Sequence, residues 1–110
     1  MAEASPQTLN TINKFLTEVA KRISVKRVIL FGSQLSGKAN KWSDIDVAII
    51  SDDFQHMNSY ERLVFLGKIA WSAKTTSIEA LGLTEEEYRN VSPLDFLYEI
   101  KAKGTVIYGQ

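Results

Sequence analysis

Two short apolar runs, Val28-Ile29-Leu30-Phe31 and Val47-Ala48-Ile49-Ile50, constrain the fold of this 110-residue chain more than any other feature. Both are rich in strand-forming residues and too short for a buried helix, so each reads as a buried strand, over 27–31 and 44–50. Gly32-Ser33 leaves the first, and Asp44-Ile45-Asp46 opens the second, with ten residues between Ser33 and Asp44. A strand sends alternate side chains to one face, so Asp44 and Asp46 point the same way with Cα atoms roughly 6.5 Å apart.

The remaining pattern surrounds these strands with helices. Ser5-Pro6 is a helix start, a hydroxyl cap followed by proline at the first helical position. Leu9, Ile12, Leu16, Val19 and Ile23 then recur at helical steps, predicting an amphipathic helix over 6–23. Residues 33–43 are polar, and a short helix or turn and then a loop are expected there. Asn58 or Ser59 caps a second long helix running to Ser72, with Tyr60, Leu63, Val64, Gly67, Ala70 and Trp71 expected on its inner face. Thr75–Leu81 reads as a third strand. Thr84 opens a capping box with Glu87, stapled by Leu83 and Tyr88, and Ser92-Pro93 repeats the logic with Val91 and Phe96. Lys101 and Lys103 favour the negative end of that last helix, Gly104 stops it, and Thr105–Tyr108 is a fourth strand. The expectation is one α/β domain over residues 1–110.

Composition narrows the function. Thirteen basic and thirteen acidic residues cancel, whereas a protein that tracks a nucleic-acid backbone carries a positive footprint. The bulk charge therefore gives no support to a polynucleotide partner. No cysteine is present, which removes disulfides and thiolate zinc sites. The N-terminus lacks the basic and apolar regions of a signal peptide, and no apolar run is long enough to span a bilayer. The expectation is a soluble cytoplasmic domain.

An Asp-x-Asp pair or a Gly-Ser pair alone is usually a solvated loop, a cap or an ordinary turn. Together at the mouths of two buried strands they suggest more. Two aspartates so placed repel each other unless something positive lies between them. Their spacing suits a pair of divalent ions about 3.5–4 Å apart, as in two-metal phosphoryl chemistry, and aspartate oxygen suits magnesium. Glycine at position 32 would let the backbone approach a phosphate, and a helix starting at Ser33 would present free N–H groups to it.

The stretch Val28-Ile29-Leu30-Phe31-Gly32-Ser33 through Gly37, Ala39 and Ser43-Asp44-Ile45-Asp46 resembles the nucleotidyltransferases of the DNA polymerase beta superfamily. More narrowly it is similar to the minimal nucleotidyltransferases, the antitoxin half of toxin–antitoxin pairs with HEPN-type proteins. Pro93–Ile100 and Val106-Ile107-Tyr108 look like that family's C-terminal helix and strand. The resemblance implies a small mixed sheet of about four strands flanked by helices. It also implies a third carboxylate on a later strand, for which Glu79 stands at the matching place. Glu79 would either bind the second ion or act as base toward the attacking hydroxyl; the alternative is an edge strand with Glu79 facing water. The family commonly places arginines just after Gly-Ser, where this chain has Gln34 and Ser36; Lys38 and Lys41 are the cations at hand. Trp42 could stack on a base or cover the core, and His56 has no assigned role.

Two functions follow from that resemblance. In the first, an enzyme transfers AMP from ATP to a hydroxyl of a small helical HEPN-type partner. Asp44, Asp46 and Glu79 hold two magnesium ions, and Gly32, Ser33 and Lys38 hold the nucleotide phosphates. In the second, the same fold neutralises a helical partner by occlusion with little or no transfer. Modification of a small antibiotic has no support beyond the shared superfamily. Self-association is left open by the sequence.

Overall fold

The structure, a computed structural model, describes residues 5–32, 44–95 and 97–109. Helix α1, Pro6–Ala20, starts where expected: Ser5 Oγ accepts the Thr8 N–H at 3.1 Å, and proline occupies the first turn. It ends three residues earlier than predicted, because the Arg22 and Ile23 N–H groups both turn back onto the Val19 carbonyl. Its inner face is also rotated from the expected stripe. Ile12, Phe15 and Val19 are buried, Leu16 and Ile23 are partly so, and Leu9 is 38% exposed.

Strands β1 (Arg27–Phe31), β2 (Ile45–Ile50), β3 (Ile78–Leu83) and β4 (Thr105–Tyr108) form one sheet in the order β3-β2-β1-β4. β1 is antiparallel to both β2 and β4, whereas β2 and β3 are parallel. The sheet is therefore mixed, as the resemblance implied. A parallel pair needs a crossover connection, usually a helix. Here it is a 3₁₀ turn, Asp52–His56, followed by helix α2, Ser59–Ser72.

Helix α2 is capped as predicted, with reciprocal bonds between Asn58 and Glu61, but of its predicted inner face only Ala70 is buried and Val64 half-buried. Arg62, Leu66, Ile69 and Ala70 are buried, while Tyr60, Leu63 and Trp71 are 74%, 52% and 76% exposed. Arg62 explains the rotation. Its guanidinium donates to the carbonyls of Met57, Gly82 and Phe54 and to the Glu87 carboxylate, so a charged residue occupies a core position with its donors satisfied.

The third strand begins three residues later than expected. Lys74 adopts a left-handed backbone with φ 59°, and Thr75 bonds back to the Ala70 carbonyl through both its N–H and its hydroxyl. Thr75-Thr76-Ser77 thus complete the turn out of α2; their strand propensity is overridden by a local hydrogen bond. Helix α3, Glu85–Arg89, has the Thr84–Glu87 capping box. Helix α4, Tyr98–Lys103, starts well after Ser92, because two successive turns intervene. The Ser92 hydroxyl accepts from Leu94 N–H at 3.2 Å, and Asp95 Oδ1 accepts from Leu97 N–H at 2.9 Å. The Phe96 half of the second staple lies outside the described residues.

Strand alternation sorts the core into two layers. Val28, Leu30, Ile45, Val47 and Ile49 face α1 and α2, with Phe54 and Ile78. Ile29, Ala48, Ile50 and Leu83 face the other way, where Ile100 of α4 and Tyr88 of α3 cover them. Asp44, Asp46 and Glu79 belong by parity to this second face, at the end of the sheet away from Ile50 and Leu83.

Candidate active site

Three positions on adjacent strands form one row across the sheet: Phe31 pairs with Asp46, and Asp46 pairs with Glu79. Asp44 stands two residues before Asp46, just outside β2, and is exposed. The backbone ladder itself therefore sets Asp46 beside Glu79, with Asp44 just beyond the end of the ladder.

Their electrostatics record that proximity. Burial, then the charge of Asp44, raises the Asp46 pKa above its ordinary value, against a hydrogen bond with Glu79 that lowers it. The Glu79 pKa is raised as well, by the charge of Asp44 first, then burial and the charge of Asp46, with hydrogen bonds to both aspartates in the same direction. Among the described residues no lysine or arginine pairs with any of these acids. Glu79 itself is exposed on the edge strand, as the alternative reading of that position expected, yet it lies close enough to both aspartates to feel their charge. Among the described residues no three histidine, cysteine, aspartate or glutamate side chains form a group that could hold a metal ion unaided. The donor set instead suits a hard cation that draws its remaining ligands from water and substrate phosphates, as magnesium does.

Gly32 faces this row directly. Its φ is +81°, and a Cβ added there would collide with the Asp46 carboxylate. Glycine is required on both counts. Gly32→Ala is expected to lower stability by about 1–3 kcal/mol through backbone strain and overpacking, and to displace Asp46. Urea denaturation measures the first effect, and the position of the Asp46 carboxylate in a crystal structure of the variant measures the second.

A cleft of about 530 Å³ adjoins the acids, with Asp46 and Glu79 on one side and Leu63, Leu66, Gly67 and Ile78 among its apolar lining. The sequence reading missed Phe31 as part of the row and the apolar cleft wall; no motif marks either, since both arise from register and helix rotation. Of the other anticipated residues, Ser33 and Lys38, with Gln34, Ser36, Lys41 and Trp42, lie outside the described residues. His56 is exposed at the end of the 3₁₀ turn.

A mixed four-stranded sheet with helices on both faces and carboxylates at the mouth of a central strand defines an α/β fold of the nucleotidyltransferase type. Residues 12–103 match the family model described as nucleotidyltransferase domain, and the chain belongs to that family. No curated protein matches the chain. Among solved structures it is similar to a protein of Sulfolobus solfataricus assigned as a nucleotidyltransferase, with TM-score 0.69 and 19% identity over 94% of this chain and 82% of that one. It is also similar to a toxin–antitoxin complex solved with AMP-PNP, with TM-score 0.63 and 22% identity over 89% of this chain and 73% of that one. A third is a mutant of the MntA–HpeT toxin–antitoxin in which two aspartates are replaced by glutamates, with TM-score 0.59 and 19% identity over 89% and 72%. At these identities the structures establish the shared fold. No described helix is long and apolar enough to cross a membrane.

Proposed function

We propose that the chain is a magnesium-dependent nucleotidyltransferase that moves AMP from ATP onto a hydroxyl of a small helical HEPN-type partner, acting as its antitoxin. The observation that carries this reading is the row of Asp46 and Glu79 in register, with Asp44 beside them and no basic partner among the described residues. Mutual repulsion of that kind is destabilising unless a cation relieves it. Family membership and a fold shared with toxin–antitoxin complexes, one of them solved with AMP-PNP, support the adenine nucleotide and the protein acceptor.

Asp44 and Asp46 would hold the magnesium ions, and Glu79 would complete the second site or serve as base. Bound magnesium would neutralise phosphate charge and polarise the reacting oxygens. Gly32 leaves bare backbone beside Asp46, which allows a phosphate to approach. Glu79 takes the proton of the acceptor hydroxyl as that oxygen bonds to the α-phosphorus. The bond from the α-phosphorus to the bridging oxygen breaks, and pyrophosphate leaves with the electron pair.

A second reading, neutralisation by occlusion without transfer, is favoured by the exposure of Glu79 on the edge strand. The presence of Gln34 and Ser36 where the family commonly has arginines points the same way. Radiolabel from α-labelled ATP separates the two. Transfer predicts magnesium- or manganese-dependent label on a co-expressed partner, lowered roughly 100- to 1,000-fold by Asp44→Ala. Absence of label, with Asp44→Ala still neutralising the partner, would establish occlusion instead.

A further inference from the structure

Helix α2 presents an apolar stripe to solvent. Tyr60, Leu63, Gly67 and Trp71 recur at three- and four-residue steps on its outer side, and all four are exposed, so no described element covers them. Two aromatic rings about three-quarters exposed and a half-exposed leucine leave about 450 Å² of apolar surface. That is as large as the largest such patch on an ordinary monomer.

We infer that this face pairs with the same face of a second copy of the chain, the two α2 helices running antiparallel. The stripe is self-complementary in that arrangement and in no parallel one. A two-fold axis at the level of Phe65 and Leu66 brings Tyr60 over the second copy's Trp71. It also seats Leu63 at the notch of Gly67, where a Cβ would meet nothing within 4 Å. An isologous contact requires this reciprocity, each residue meeting the residue that meets it. The flanking charges agree. Glu61 and Lys68, both exposed, lie along the same side of the stripe, so antiparallel pairing sets Glu61 of one copy toward Lys68 of the other. Complete covering of these side chains would remove at most about 900 Å² from water in the pair, and the charged flanks must supply the rest of the roughly 1,000 Å² of a specific interface. Leu63 and Gly67 also line the cleft beside Glu79, so the second copy's Leu63 would form part of the cleft wall.

Sedimentation velocity over about 5–200 µM tests this directly. The wild type is expected to double in mass across that range, with Trp71→Lys remaining monomeric and melting where the dilute, monomeric wild type does. Gly67→Ala separates packing from folding, because alanine is the better helix former yet fills the notch. Its melting temperature is expected to rise while its association weakens about tenfold. A wild type that stays monomeric throughout, including one that gains mass only with a different protein, overturns the inference. So does association that survives both substitutions unchanged.

Discussion

Asp46→Asn is expected to leave the chain more stable and inactive. The Asp46 carboxylate is held partly buried beside Asp44 with no cation among the described residues to offset it, and its pKa is raised accordingly. For an acid whose folded pKa lies above its unfolded value, the penalty is complete above the folded pKa. It is relieved as pH falls toward the unfolded value of about 3.9. Asparagine removes that penalty. Allowing for solvent screening at a partly exposed site, the gain at neutral pH is about 0.5–1 kcal/mol, or about 2–6 °C in melting temperature. The gain should shrink as pH is lowered through the raised pKa. Magnesium should reverse the order, since a ligand that binds only the folded wild type raises its melting temperature in proportion to saturation. Transfer of label should fall roughly 100- to 1,000-fold. Thermal melts with and without magnesium, at neutral and acid pH, check every part; a variant less stable than wild type without metal would contradict the electrostatic account.

The largest stability effect is expected at Arg62. Its side chain is 9% exposed, its guanidinium serves three backbone carbonyls and Glu87, and it lies 5.7 Å from the Phe54 ring centroid. Arg62→Ala strands buried carbonyls and opens a cavity where the 3₁₀ turn, α2 and β3 meet. A cost of about 3–5 kcal/mol in the urea unfolding free energy follows. Arg62→Lys keeps the charge but not the planar fork, and is expected to recover under half of it. Glu87 adds a pH signature. Burial pushes its pKa up, but hydrogen bonds from Arg62 and the Thr84 N–H outweigh that and hold it below the ordinary value. Its contribution is therefore present above about pH 4.3 and lost as pH falls through the depressed pKa. In Arg62→Ala that acid-side loss should be diminished.

Arg62 also shows where reading the sequence stops. β1, β2 and the three caps at Ser5, Asn58 and Thr84 are legible because each depends on residues a few positions apart. The inner face of α2 is not. A helix whose outer stripe is aromatic and whose inner stripe contains arginine inverts the usual polarity. Only the partners of Arg62, up to 25 positions away, make its burial affordable in physical terms. Within the site, alternation alone puts Asp44 and Asp46 on one face. That Asp46 stands in register with Glu79, 33 positions away in the chain, depends on how the crossover through α2 sets the strand pair. The closeness of Gly32 to Asp46 depends likewise on the antiparallel register of β1.

β3 is an outer strand of the sheet, and Ile78-Glu79-Ala80-Leu81-Gly82-Leu83 carries one charge in six residues. Without that charge it would be a short, uncharged, apolar border with open backbone donors and acceptors, the kind of template on which chains stack into fibres. Glu79 therefore acts as a gatekeeper against aggregation as well as a neighbour of the aspartates. An apolar residue there would threaten solubility before any question of catalysis arose.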